Sequence, residues 1–204
     1  MTILSFPSTL RVSNMRWSRM SQDVVHRSIF GVQGINGGYP LWKVAVTFDQ
    51  LTSAESGPYQ ALLMQLEGNR NHLALHNVGR PAPIGTMRGS PTLASPLAAG
   101  VSSMDITAGA GQANMTLKAG DYLGLGSGYD RQVVMVTSDV TLSGTGTATV
   151  SFSPANRTAR VTTDPVVWDK PTALFRQQQP EVGWDYSTVV VSGAALDLLE
   201  DWRI

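Results

Sequence analysis

The sequence predicts a mainly β protein with one helix, in which a small β-barrel interrupts a second β domain. Three observations carry that prediction. Residues 81–92 hold three prolines, two glycines and no apolar run, so they fit neither a helix interior nor a paired central strand. Patterned sequence lies on both sides of this stiff, extended connector. After about residue 98 the chain turns into short β segments spaced by turns, and a helical apolar period occurs with clarity only at Tyr59, Leu62, Leu63 and Leu66.

Before the connector, residues 8–30 mix short apolar and polar steps, with Leu10, Val12, Met15, Trp17, Val24, Val25 and Ile29 as expected inward positions and strands around Ser21-Gln22. Gly31–Gly38 carries four glycines in eight residues, which predicts a loop or turn. Tyr39–Phe48 alternates, placing Trp42, Val44, Val46 and Phe48 on one apolar face of a strand. The helix is expected over about 58–67, with an earlier start near Thr52 open. Pro58 suits a first helical position, and Gly68 suits a left-handed C-terminal cap. His72–His76 alternates and reads as a strand.

Beyond the connector, strands are expected at Ser103–Ile106, Met115–Lys118, Tyr122–Leu125, Gln132–Thr137 and Ala148–Phe152, then at Val166–Trp168 and Thr172–Arg176. Thr188–Leu199 starts as a strong β-former, and its remainder fits a strand or a short helical turn. Strand, helix, strand, compact β unit, then more strands is the order of an inserted domain. Residues 1–90 with 165–204 are therefore read as one domain, and 91–164 as the insert.

Composition limits the function. Hydrophobic residues make up 42% of the 204 residues and charged ones 15%, below the usual quarter for a soluble domain. Either a partner covers part of the surface or the surface is a neutral Thr/Ser/Gly-rich β face. Fifteen basic residues balance fifteen acidic ones, so no overall field favours nucleic acid or an anionic membrane. Cysteine is absent, which excludes disulfides, thiolate catalysis and cysteine-bound metals. The first residues lack the basic start and long apolar run of a signal peptide, and no apolar run approaches a membrane span. A product of the cytoplasm is the expectation.

Candidate chemistry is thin. His72 and His76 on one strand face stand roughly 13 Å apart, too far for one metal ion. Gly124–Gly128 lacks the Lys-Ser/Thr and following helix of a phosphate loop and reads as a hairpin turn. Asp105, Asp121, Asp130 and Asp139 fall in turns, and nothing singles out a pair for acid/base work. No catalytic residue, cofactor or metal ligand is therefore assigned. For contact with other proteins, Trp184, Tyr186 and Trp202 are the candidate aromatic anchors. Arg70, Arg80 and Arg88 approach the connector, as a solvated basic stretch or as partners for a neighbouring subunit's carboxylates.

Ordered motifs add a resemblance from about residue 40 onward. They are Phe48–Gln50 before the helix, Leu63-Met-Gln-Leu-Glu-Gly-Asn-Arg-Asn71, the connector Arg80-Pro-x-Pro-x-Gly85-Thr-x-Arg88-Gly89, and Ala99-Gly-Val-Ser-Ser-Met104. Leu117-Lys-Ala-Gly-Asp-Tyr122, Val150-Ser-Phe-Ser-Pro-Ala-Asn-Arg157, Pro171-Thr-Ala-Leu-Phe-Arg176 and a late Leu-Leu-Glu200 follow in order. The pattern resembles the distal tail proteins of long-tailed bacteriophages, baseplate or tail-tip proteins that join the tail tube to the tip. That resemblance implies a split β-barrel/sandwich ring domain carrying an inserted small β-barrel. It further implies a homo-oligomeric ring, often a hexamer, in the tail tip of the virion, contacting the tail tube protein and the tip hub. No cofactor and no enzymatic activity are implied. Two readings of other kinds stand beside it: another minor tail protein or host-surface carbohydrate-binding module, and a cell-wall hydrolase.

Overall fold

The computed structural model describes residues 1–186 and 190–201. It is mainly β with one helix, and holds a six-strand mixed sheet and a nearly closed six-strand antiparallel barrel. In the sheet, strands run in the order Ile3–Ser5, His72–Leu75, Ala173–Gln177, Ala195–Glu200, Leu41–Thr47 and Asn14–Met20. Ile3–Ser5 pairs parallel to His72–Leu75 and every other neighbour is antiparallel. Trp42, Val44, Val46 and Phe48 are buried, as the alternation of that strand requires.

The helix packs its expected stripe, Tyr59, Leu62, Leu63 and Leu66, into the core of this sheet. It spans Ser53–Leu66, starting five residues before Pro58. Glu55 explains the early start: its carboxylate accepts the Thr52 backbone N–H at 3.1 Å and the Thr52 hydroxyl at 2.9 Å, closing the helix entrance. Those bonds hold the Glu55 carboxyl below its ordinary pKa, the backbone bond contributing most. Pro58 is thus the sixth helical residue, at a place where it leaves the Ala54 carbonyl without its usual donor. The left-handed turn at the other end begins at Glu67 (φ 48°) and continues through Gly68 (φ 65°).

The barrel order is Val166–Val167, Tyr122–Leu125, Gln132–Val136, Thr147–Ser153, Ser103–Thr107 and Thr92–Leu93. A bridge between Thr92 and Pro165 nearly closes it, with Val166 N donating to Pro91 O and Leu93 N to Asp164 O, both at 2.9 Å. The barrel core therefore takes Val166 from beyond the 91–164 segment, and also Met87 from the connector. Along the connector Pro83, Gly85 and Met87 are buried while Ile84 and Thr86 are exposed. The prolines keep this strand-like run out of a helix, but it is fastened to the barrel rather than suspended between two bodies. Asp121, itself buried, accepts Ile84 N, Gly85 N and Lys118 N at 2.7, 3.1 and 2.7 Å. Gly85 passes so close that a Cβ there would strike the Thr116 carbonyl.

The closing run resolves into strand Val190–Ser192, a turn at Gly193 (φ 70°) and strand Ala195–Glu200; Thr188 and Val189 lie outside the described residues. Two expectations near the N-terminus are overturned. Gly31–Gly38 is not a loop, because Gly31–Asn36 forms a strand paired along its length with Asp23–Ser28. Backbone pairing needs no side chain, so glycines weaken such a strand without forbidding it. Val24, Val25 and Ile29 do not point inward; all three are exposed.

Barrel and sheet share one junction. Tyr122 and Val133 of the barrel join the core of the sheet, and Trp42 Nε1 donates to Val133 O at 2.8 Å. Trp17 packs edge-on or tilted against Trp42, Tyr122 and Phe175 at 5.5–5.8 Å between ring centroids. Beside them Arg157 grips Glu200 with two bonds of 2.8 and 2.6 Å, both side chains almost wholly buried. Removing one partner of a buried ion pair leaves the other charge stranded. Glu200→Ala is expected to cost about 3–5 kcal/mol in urea unfolding. Glu200 Oε2 also accepts Trp42 N at 2.9 Å, so Arg157→Met with Glu200→Gln, which keeps that acceptor, is expected to recover most of that loss.

Candidate interaction surface

The paired strands Asp23–Ser28 and Gly31–Asn36 form an arm that prolongs two strands of the main sheet. Asn14–Met20 pairs with Leu41–Thr47 up to Met20 opposite Leu41, and pairing resumes with Asp23 opposite Asn36. Two residues on one side and four on the other separate the ladders, so the ribbon bends there. At the bend Gly37 N donates to Gln22 O at 3.1 Å, and a Cβ on Gly37 would collide with that carbonyl. Six further residues per strand carry the tip roughly 20 Å beyond the bend.

The arm's side chains are the wrong ones for water. Val24 faces Ile35 on one side of the ribbon, and Val25 and Val32 lie on the other, all exposed. At the tip, Ser28 pairs with Gly31, leaving Ile29 and Phe30 as the two turn residues, 92% and 93% exposed. Two-residue hairpin turns favour Asn, Asp and Gly, so a β-branched residue followed by an aromatic serves some purpose other than turning the chain. The Ser28 hydroxyl stabilises the turn instead, accepting Phe30 N at 3.2 Å. A lone two-stranded ribbon is marginal in water, and this one buries neither face against the rest of its own chain.

At the root of the arm lies a cleft of about 420 Å³, between Arg19, Tyr39 and Pro40 on one wall and Ser102, Ser153 and Pro154 on the other. The barrel supplies the second wall. Arg157 Nη2 ties the two together by donating to Pro40 O at 3.0 Å.

The residues singled out from sequence are dispersed and do not form this surface. Arg70 pairs with Glu67 at 2.8 Å in solvent, and Arg80 donates to Gly120 O at 2.9 Å. Arg88 is an internal clip: it donates to Pro83 O, Gly85 O and Met87 O at 2.6–3.2 Å and lies 5.0 Å over the Trp168 ring. Trp184 is half-buried against Tyr59, 6.4 Å between centroids. Tyr186 is exposed and accepts a bond from Gln60 Nε2 at 2.7 Å. Trp202 lies outside the described residues.

Of the three aromatic residues that 98–164 could offer to a carbohydrate, Tyr122 and Phe152 are buried and Tyr129 is exposed. Asp105 accepts from the hydroxyls of Ser95 and Thr149, Asp121 holds the connector, and Asp139 binds Lys118 Nζ and Ala119 N. The lysine bond does most to keep the Asp139 carboxyl below its usual range. His72 is buried, with Nε2 at 2.7 Å from Asp201 Oδ2, and Arg176 Nε lies 2.6 Å from the same oxygen. His76 is half-buried, and burial pushes its pKa down. Among the described residues no group of three or more His, Asp or Glu side chains could hold a metal. Comparison with protein-family models and with curated proteins finds no match.

Arm and clip are separable. Arg88→Ala is expected to lower stability by about 1–3 kcal/mol, since three carbonyls lose a charged donor. Phe30→Ser, at an exposed tip position, should leave the melting temperature unchanged; calorimetry on both variants checks the contrast.

Proposed function

We propose that this chain is a non-enzymatic structural protein of a bacteriophage tail tip: a distal tail ring subunit that binds copies of itself sideways, the tail tube on one face and the tip hub on the other. The exposed apolar arm carries the reading. It supplies what a self-assembling subunit needs, a projecting surface that is complete only when another molecule covers it. The low charge content and the ordered motifs resembling distal tail proteins support the same conclusion.

A ring subunit must present two different, mutually complementary surfaces, so that each copy gives one and receives the other. The arm tip and the cleft at the opposite end of the arm have that polarity. The junction that fixes barrel to sheet suits a part whose geometry is repeated around a circle. Negative-stain electron microscopy of the purified chain is expected to show closed rings of about six copies with a central hole, as a rotation that closes demands. Monomers at all accessible concentrations, with no binding to tail-tube subunits, would overturn the proposal.

A further inference from the structure

The structure supports a more specific contact, which rests on the ring reading for its setting. We propose that the arm tip of one copy, Ile29-Phe30, seats in the Arg19–Tyr39–Pro40–Pro154 cleft of a second copy. The cleft is lined by two prolines and a tyrosine, with the cation of Arg19 at its wall. Proline and tyrosine faces suit an inserted aromatic ring, and a guanidinium over that ring adds a cation–π attraction. At about 420 Å³ the cleft has room for the two tip side chains.

Why a second copy, and not the same chain? The cleft sits at the arm's root and the tip lies roughly 20 Å beyond the bend, along a paired ribbon that cannot fold back on itself. Tip and cleft are therefore complementary but out of reach of each other within one molecule. A head-to-tail contact is the result, and it repeats from copy to copy. Val24, Val25, Ile29, Phe30, Val32 and Ile35 are all exposed, so the arm offers an apolar surface that its own chain leaves uncovered. Arm and cleft also carry little opposing charge, the arm holding Asp23 and Arg27 and the cleft Arg19 alone.

Absence of cysteine makes the test direct. Ile29→Cys and Ser102→Cys, both exposed positions, are made in separate chains that keep Phe30, then mixed and oxidised. The expected product is a disulfide between the two different variants, with neither variant linking efficiently to itself; the double variant should give a ladder of covalent oligomers. Ile29→Cys linking chiefly to itself would mean a two-fold contact and overturn the inference. A second measurement uses uncoupled surfaces. Phe30→Ala and Arg19→Ala should each weaken association roughly tenfold or more, and the double variant should be no weaker than the worse single one. Additive losses would overturn the pairing of these two residues. If the native chain assembles but no Ile29–Ser102 link forms, the docking fails and the ring reading stands; a native chain that never assembles removes both.

Discussion

The buried bond between Arg157 and Glu200 is the constraint on which the rest of the geometry depends. Glu200 ends the closing strand of the main sheet, and Arg157 follows the last long strand of the barrel. Two charges removed from water at 2.6–2.8 Å are stable only as a pair, so wherever the closing strand goes the barrel must follow. The same guanidinium also holds Pro40 O, at the root of the arm. One side chain thus touches sheet, barrel and the root of the arm, beside the cleft between Pro40 and Pro154. Trp42, reaching from the sheet to Val133 O, reinforces the junction from inside.

Against that rigid frame the arm stands out as the part left unfinished. Elsewhere large apolar groups fill two cores, with the helix stripe on the sheet, Met87 in the barrel and Trp17 among three aromatic rings, and exposed ones such as Met64, Ile84 and Val161 are separate along the chain. Along the arm the same residue types face solvent on both sides and at the tip. An isolated molecule gains nothing from Ile and Phe in a two-residue turn. An assembling one gains an anchor, placed at the end of a lever whose direction is set by the bend at Gly37.

Much of this was legible in the residues, and what was not has a physical reason. Alternation at Trp42–Phe48 and the stripe Tyr59–Leu66 announce themselves because burial imposes a period. The barrel strands were readable from turn chemistry between short β-formers. The arm was missed because two rules misfired together: glycine density argued for a loop, and valines at 24 and 25 argued for a core. Neither rule allows for a paired ribbon whose apolar side chains stay outside the core of its own chain. The available signal was Ile29-Phe30 between two runs of equal length, apolar residues where a turn should be polar. Proline in the connector has a limited meaning, since it blocks helix but leaves an extended segment such as 81–90 free to dock on the barrel. The arginines could not be sorted by type alone; Arg157 and Arg160 are buried, and Arg70, Arg80 and Arg88 bond to groups of their own chain.

Hydrogen exchange of residues 23–36, followed as the protein is diluted, tests the central claim most directly. Amide groups of the arm should be protected at concentrations where the chain is assembled and exchange rapidly once it dissociates, while those of His72–Leu75 and Gln132–Val136 stay protected throughout. Arm protection that does not change with dilution, or rapid exchange in the assembled state, would contradict it.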